Sequence, residues 1–377
     1  MRVLLTGGGT GGHVYPALAI ADIIKSKDPQ AEIAFVGTKR GIENKLVAAA
    51  GYKLYHVEIS GIRRSLSPQN IKTAYLILTS PYKAKKIIKE FSPDIVIGTG
   101  GYVSWPLIRA AADMGIPSMI HESNAYPGLA VRKLQKFVDV TLTNFEETAE
   151  RLDKTGKIVN VGNPMRVKRP DTDNKEAKRA LGIDENKFTV LSFGGSLGAE
   201  EVNKAMLSVM KNFSQKKENV VHLHAWGSAY YEEYSAKAAE QGIVGDNIRL
   251  SEYIYDMPLY MAAADAVICR AGAMTLSELS VMEKPAVLIP SPNVTDDHQY
   301  KNAKVAADRG GAYLVRESEN MSVEIVDHLE RLCADKALRT KMGKEMGTLA
   351  KLDAGELIYN EITRLVTVNG KIKNRKR

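Results

Sequence analysis

His13 stands in the stretch GGGTGGHVYPALA, where a glycine-rich loop gives way to an apolar helical pattern. The positive end of a helix disfavours an imidazolium, so this histidine is expected to be neutral and available as a general base. The bland alternative is a histidine that caps a turn or fills a gap. Gly7, Gly9 and Gly12 fit the spacing GxGxxG. Such glycines let a ligand approach closely, and the amides of a helix start favour a phosphate or a developing negative charge. The same spacing is the dinucleotide fingerprint, which normally brings an acidic residue at the end of the second strand to hold a ribose. Here the strand IAFVG is followed by Thr38, Lys39 and Arg40, so no carboxylate is expected there. Arg40 suits the 2′-phosphate of NADP and keeps a reductase in play.

The second half offers a different set of groups. RAGAMTLSE, from Arg270 to Glu278, joins a strand to a helix start. Thr275 is placed to cap that helix or touch a phosphate. Glu278, one turn on, is placed either to accept two hydrogen bonds from a ribose diol or to serve as a capping-box partner. In DDHQYKN, the uncharged groups of His298, Gln299 and Asn302 suit sugar hydroxyls, unless they form an ordinary helix start with Asp296 and Asp297 complementing the dipole. Asp171 and Asp173 have the DxD spacing that binds metal-diphosphate in some glycosyltransferases, but no strand precedes them and a solvated linker is the expected setting.

These residues need a scaffold that gathers loop ends. Short apolar runs alternate with helical patterns throughout, which predicts an α/β chain of doubly wound parallel sheets. Strands are expected at 3–6, 33–37, 54–59, 95–98, 118–121, 138–143 and 158–161, then at 189–193, 220–225, 248–250, 266–269, 286–289 and 312–315. Ligands in such sheets collect at strand ends. Two of these ends are rich in glycine or polar groups: Gly98, Gly100, Gly101, Tyr102 and Ser104 follow one, and His121, Glu122, Ser123 and Asn124 follow another. A second glycine loop, Gly194 to Gly198 with Ser196, precedes a helix expected from Ala199 and repeats the design of the first half.

A chain of 377 residues suits two domains, and 44% hydrophobic with 25% charged residues is an ordinary globular composition. The expected division is 1–164 with a helix at about 352–367, then 165–351, then a basic tail at 368–377. Cys269 and Cys333 form no CxxC pair, so a disulfide framework or thiolate zinc site is not expected and a reducing cytoplasm fits. No apolar stretch approaches the length of a membrane span. The net charge of +8 favours anionic partners. Residues 71–88 mix Tyr75, Leu76, Ile77, Leu78 and Tyr82 with Lys72, Lys83, Lys85 and Lys86. That composition suits either an anionic phospholipid surface or a crossover helix buried on the sheet.

In order along the chain, GGGTGGHVYPALA, ISGIR, GTGGYVSWP, HESN, GNPMR, FGGSLGA, CRAGAMTLSE and DDHQYKN resemble the MurG family of peptidoglycan glycosyltransferases. The resemblance implies the GT-B fold, two Rossmann-like domains facing across a cleft, with a late helix crossing back to the first. It implies inverting transfer of N-acetylglucosamine from UDP-GlcNAc to the MurNAc 4-hydroxyl of undecaprenyl-pyrophosphoryl-MurNAc-pentapeptide. It further implies His13 as base and a donor site at Thr10, Gly11, Gly12, Asn124, Arg166, Ser196, Ile254, Ala273, Met274, Thr275, Leu276, Ser277, Glu278 and Gln299. Ile254 would lie beside the uracil, and His298 stands where some members have a second glutamine. No cofactor, metal or nucleic acid is called for, and the expected place is peripheral, on the cytoplasmic face of the membrane. Another UDP-sugar transferase would share the donor features. A reductase would leave the second glycine loop and Glu278 unexplained, and a membrane scaffold would have no need of polar strand ends.

Overall fold

Unbroken apolar runs are what a parallel strand covered on both faces requires. Val3, Leu4 and Leu5 make such a run in the first sheet and Ile95, Val96 and Ile97 another, all fully buried. The computed structural model describes residues 1–61, 68–153, 156–165 and 172–375, with 369–375 by backbone alone. Arg166, Asp171 and the Ile62–Arg63 end of ISGIR lie outside the described residues, as do Lys376, Arg377 and the side chains of Lys371, Lys373 and Arg375.

The first sheet comprises β1 (Arg2–Thr6), β2 (Glu32–Gly37), β3 (Lys53–His56), β4 (Ile95–Gly98), β5 (Ser118–Glu122), β6 (Val140–Thr143) and β7 (Lys157–Asn160). Their order is β3-β2-β1-β4-β5-β6-β7, every pairing parallel. The chain changes direction across the sheet between β1 and β4. A crevice is built at such a switch point. The second sheet comprises β8 (Phe188–Phe193), β9 (Val220–Ala225), β10 (Ile248–Ser251), β11 (Ala266–Cys269), β12 (Ala286–Leu288) and β13 (Ala312–Leu314), in the order β10-β9-β8-β11-β12-β13, again all parallel. Its switch point falls between β8 and β11. The chain divides into two compact units, Met1–Arg166 with Lys351–Arg377, and Val167–Ala350.

In the first unit, α1 (Gly11–Lys27) is buried over most of its surface. Pro16, a residue type that suits a first helical turn, is the sixth residue of this helix. Lacking an N–H, it leaves the Gly12 carbonyl without its usual i+4 donor. The helix Ala354–Arg375 returns to this unit and places Ile358, Ile362 and Leu365 in the same core as Val3, Leu5 and Ile20. Lys157 reaches Glu361 at 2.7 Å, and Lys27 pairs with Glu356.

After α2 (Glu43–Ala49), α3 (Gln69–Phe91) covers the sheet with Leu76, Ala84, Ile87, Ile88 and Phe91. Its opposite face exposes Ile71, Tyr75, Leu78 and Tyr82, each at least 65% accessible. Leu76 belongs to the core and not to that exposed stripe. The crossover-helix reading holds for the buried face, and the apolar groups and lysines of the other face are exposed.

In the second unit, Asp173 caps the helix Asn174–Ala180 in a reciprocal capping box with Glu176. Its side chain is thus engaged as a cap. The interior of this unit holds a polar chain: Ser192 Oγ bonds His222 Nε2 and His224 Nδ1, each at 2.7 Å, and Ser214 Oγ bonds His222 Nδ1 at 2.8 Å.

Candidate active site

The loops after β1 and β4 meet at the first switch point and pack around one imidazole. His13, in the first turn of α1, directs Nδ1 at the Thr99 carbonyl, 3.2 Å away. A carbonyl only accepts, so Nδ1 carries the proton and Nε2 keeps its lone pair. Burial lowers the pKa of this ring, and the Thr99 bond opposes that in part. Neutral imidazole is therefore the resting form. Thr99 Oγ1 donates in turn to the His13 carbonyl at 2.7 Å. A Cβ on Gly100 would come within 2.8 Å of His13 Nδ1, and one on Gly101 within 2.3 Å of the Gly8 carbonyl oxygen. Gly100 and Gly101 also have φ of +96° and +75°, so both room and backbone conformation call for glycine.

No carboxylate stands at the end of β2 itself, but one reaches back to it from α2. Glu43, the first residue of α2, is 1% accessible and accepts hydrogen bonds from Thr38 N at 2.9 Å, Thr38 Oγ1 at 2.7 Å and Gly9 N at 3.3 Å. The Gly9 amide expected to face an anion is thus already bonded within the chain. A reductase would need that amide for a pyrophosphate, and Arg40 is exposed to solvent. Thr10 precedes α1 with extended backbone and makes no side-chain cap, while Gly12 is exposed.

After β5, two of the expected rim groups turn inward. His121 is fully buried, with Nε2 bonded to the Gly162 carbonyl at 2.9 Å. Glu122 is also buried, and accepts from Asn124 N at 2.9 Å, Asn124 Nδ2 at 3.0 Å and Gly128 N at 2.8 Å. Glu122 thus sets the orientation of Asn124.

In the second unit the two loops at the switch point differ electrostatically. The helix Glu200–Val209, which starts one residue past Ala199, carries Glu200 and Glu201 in its first turn, both within 3.0 Å of Lys204. By contrast, the helix Ala273–Val281 starts after Gly272, which has no side chain to cap it, and has no acidic residue in its first turn. A helix start without acidic residues suits a phosphate. Thr275 makes no side-chain cap, and Glu278 is not a capping-box partner. Burial lifts the pKa of the Glu278 carboxyl to about 7.

Other expected contacts are relocated by the fold. The Ile254 side chain is 4% accessible and packs in the core, between the outward-facing Tyr253 and Tyr255, so a ligand beside it would meet backbone. Asn302 is fully buried with Nδ2 on the Ala271 carbonyl, which removes it from any sugar-binding surface. Gln299 Oε1 accepts from Ser291 N at 2.9 Å, which directs its amide NH2 as the remaining donor. Ser196 is exposed in its loop. Asp296 and Asp297, just before the helix His298–Asp308, both adopt left-handed backbone, with φ of +54° and +53°. Among the described residues no group of three or more His, Cys, Asp or Glu side chains is arranged to hold a metal ion.

Thr99, Glu43 and Glu122 were not singled out as orienting groups in the sequence. Their only signal is their proximity to glycines, whose meaning depends on partners brought by the fold.

Residues 3–143 match the family model described as glycosyltransferase family 28 N-terminal domain, and residues 189–358 match that of the family 28 C-terminal domain. A UDP-N-acetylglucosamine–N-acetylmuramyl-(pentapeptide) pyrophosphoryl-undecaprenol N-acetylglucosamine transferase of Caldanaerobacter subterraneus is 38% identical over 97% of this chain and 100% of its own. The enzyme of the same name from Thermoanaerobacter pseudethanolicus is 39% identical over 96% of this chain and 99% of its own. Among solved structures, Acinetobacter baumannii MurG superposes with a TM-score of 0.76 at 28% identity, covering 96% of this chain and 99% of that one.

Proposed function

This chain belongs to glycosyltransferase family 28 and has the GT-B fold, and on that premise we propose the reaction it catalyses and the residues that carry it. It transfers N-acetylglucosamine from UDP-GlcNAc to the MurNAc 4-hydroxyl of undecaprenyl-pyrophosphoryl-MurNAc-pentapeptide (lipid I). The product is lipid II, an intermediate of peptidoglycan synthesis. The near full-length identity to transferases of that name carries this assignment.

The step is an inverting displacement. The acceptor oxygen attacks the anomeric carbon as the bond from that carbon to the diphosphate oxygen breaks, and UDP leaves with the electron pair. The hydroxyl proton passes to His13 Nε2, the lone pair that the Thr99 carbonyl leaves exposed by holding the other nitrogen protonated. Assistance of this kind is worth about 10² to 10⁴ in rate. On the donor side, the start of the helix Ala273–Val281, which carries no acidic residue in its first turn, stabilises the departing diphosphate. Glu278 holds the ribose diol, Gln299 donates to a sugar oxygen, and the backbone at Ile254 meets the uracil. Thr10, Gly11, Gly12, Asn124, Arg166 and Ser196 complete the substrate contacts.

The acceptor is lipid-anchored, which supports a peripheral position on the cytoplasmic face of the membrane. Among the described residues no helix is long and apolar enough to cross a membrane. The exposed stripe of α3, with Lys72, Lys83 and Lys86 beside it, has the chemistry to rest on anionic phospholipid. Transfer of labelled N-acetylglucosamine from UDP-GlcNAc to a lipid-linked acceptor analogue tests the assignment. A folded preparation giving no labelled product would overturn it.

A further inference from the structure

Glu43 touches none of the groups assigned to either substrate, yet the loop that carries them is built around it. Its side chain fills space that three glycines leave vacant. A Cβ on Gly8 would lie 2.9 Å from the Glu43 carboxyl carbon, one on Gly37 would lie 2.6 Å from Cγ, and one on Gly41 would lie 2.1 Å from either carboxylate oxygen. None of the three has positive φ, so they serve here to give room, not backbone freedom. Thr38 N, Thr38 Oγ1 and Gly9 N, which meet the carboxylate from other residues, all donate to it. A glutamine would turn its own NH2 toward one of them, whereas a carboxylate accepts from all. Burial raises the Glu43 pKa, but the bonds from Thr38, from its own amide and from Gly9 outweigh that and bring it below the usual carboxylate value. The anion therefore persists in a buried place. On the other side of the loop, Gly8 O lies against Gly101 and Gly9 against the Tyr102 ring.

We propose that Glu43 is a positioning residue for the reaction: by holding the Gly9 amide and filling the space beside Gly8, it fixes the loop that sets Thr10, Gly11, Gly12 and His13. The catalytic part of this rests on the reading of that loop as the base-bearing and substrate-binding loop of a transferase. The mechanical part stands apart from it.

Hydrogen–deuterium exchange on the full chain without substrate tests the brace directly. In Glu43→Gln, amides 8–13 should exchange about tenfold faster or more, the scale of one charge-assisted hydrogen bond, with the second unit unchanged. Unchanged protection of that loop overturns the proposal whatever the activity. Should Glu43→Gln not fold, Glu43→Asp, which keeps the charge on a shorter arm, is read by the same measure. Steady-state kinetics with both substrates varied then tests the catalytic part. Turnover at saturating levels of both substrates should fall about tenfold or more. A change confined to KM with turnover intact, or a loss matching only the unfolded fraction, overturns the positioning role. Gly8→Ala should reproduce the defect by forcing the same contact apart, and the pair Gly8→Ala with Glu43→Gln should be little worse than either alone. A product of the two separate effects counts against a shared contact. Absence of transfer by the unaltered chain would overturn the assigned activity and with it the catalytic part, and the exchange result still decides the brace.

Discussion

Glu278 and His13 both have pKa values moved by burial, but the movements have opposite consequences for acid sensitivity. Glu278 must be ionised to accept from both ribose hydroxyls, and its carboxyl titrates near 7 in the ligand-free protein. UDP-GlcNAc affinity should therefore rise between pH 6 and 8 and level off above. Calorimetry at several pH values checks this, and Glu278→Gln should abolish the dependence. Glu278→Ala should weaken binding by about 1.5 to 3 kcal/mol, the range for a hydrogen bond to a charged group. His13 must be neutral, and its pKa lies below 6.5, so protonation of this ring should not limit turnover until the pH falls below that value. His13→Ala should cut turnover by about 10² to 10⁴ with donor affinity retained. Near-normal turnover at saturating acceptor would remove it from the mechanism. The histidine and its glycines are legible in the sequence as residue types. Its tautomer is not, because that depends on a carbonyl 86 residues away, and neither is Glu43, whose bond to Gly9 spans 34.

At the scale of elements, an apolar run bounded by turn residues marked the strands well when they lay inside a sheet. β4, β9 and β11 occupy the expected residues. β3 stops at His56 although Val57 and Ile59 continue the apolar run: Val57 N gives a last bond to the Gly37 carbonyl at 2.9 Å where β2 ends, and both side chains are buried in the core that α3 covers. Periodicity reports burial and not ladder hydrogen bonds. The same limit hid the two faces of α3, whose composition mixes a core stripe with an exposed one. Replacing Tyr75 and Leu78 by Ser should weaken binding to vesicles of anionic phospholipid, and added salt should weaken it further by screening the lysines. Leu76→Ala should instead lower stability by about 2 to 5 kcal/mol, as for other buried leucines. Vesicle sedimentation and thermal melting separate the two, and unchanged sedimentation of the Tyr75/Leu78 variant would point to a different membrane face.

Across the whole molecule, three fully buried histidines link stability to pH. Burial lowers His121 to about 4 and His222 to about 3, and holds His224 well below its ordinary value, with the neighbouring His222 adding to the effect. The unfolded chain takes up these protons near pH 6.5, before the folded one does. Their contribution is therefore complete above 6.5 and is lost as pH falls toward 4, at up to about 1.4 kcal/mol per pH unit for each ring. Melting temperature should decline from pH 7 to 5, and a flat profile would contradict the buried neutral assignment. The helix Ala354–Arg375 has a consequence of another kind. It seals a core whose first strand is β1, while the second unit is continuous in sequence from Val167 to Ala350. A ribosome moving along this message must therefore emit all seven strands of the first sheet, and then the entire second unit, before the piece that completes the first core is made. The later-born unit is free to fold while the earlier one waits with its apolar surface open, so folding is completed in the reverse of the order of synthesis.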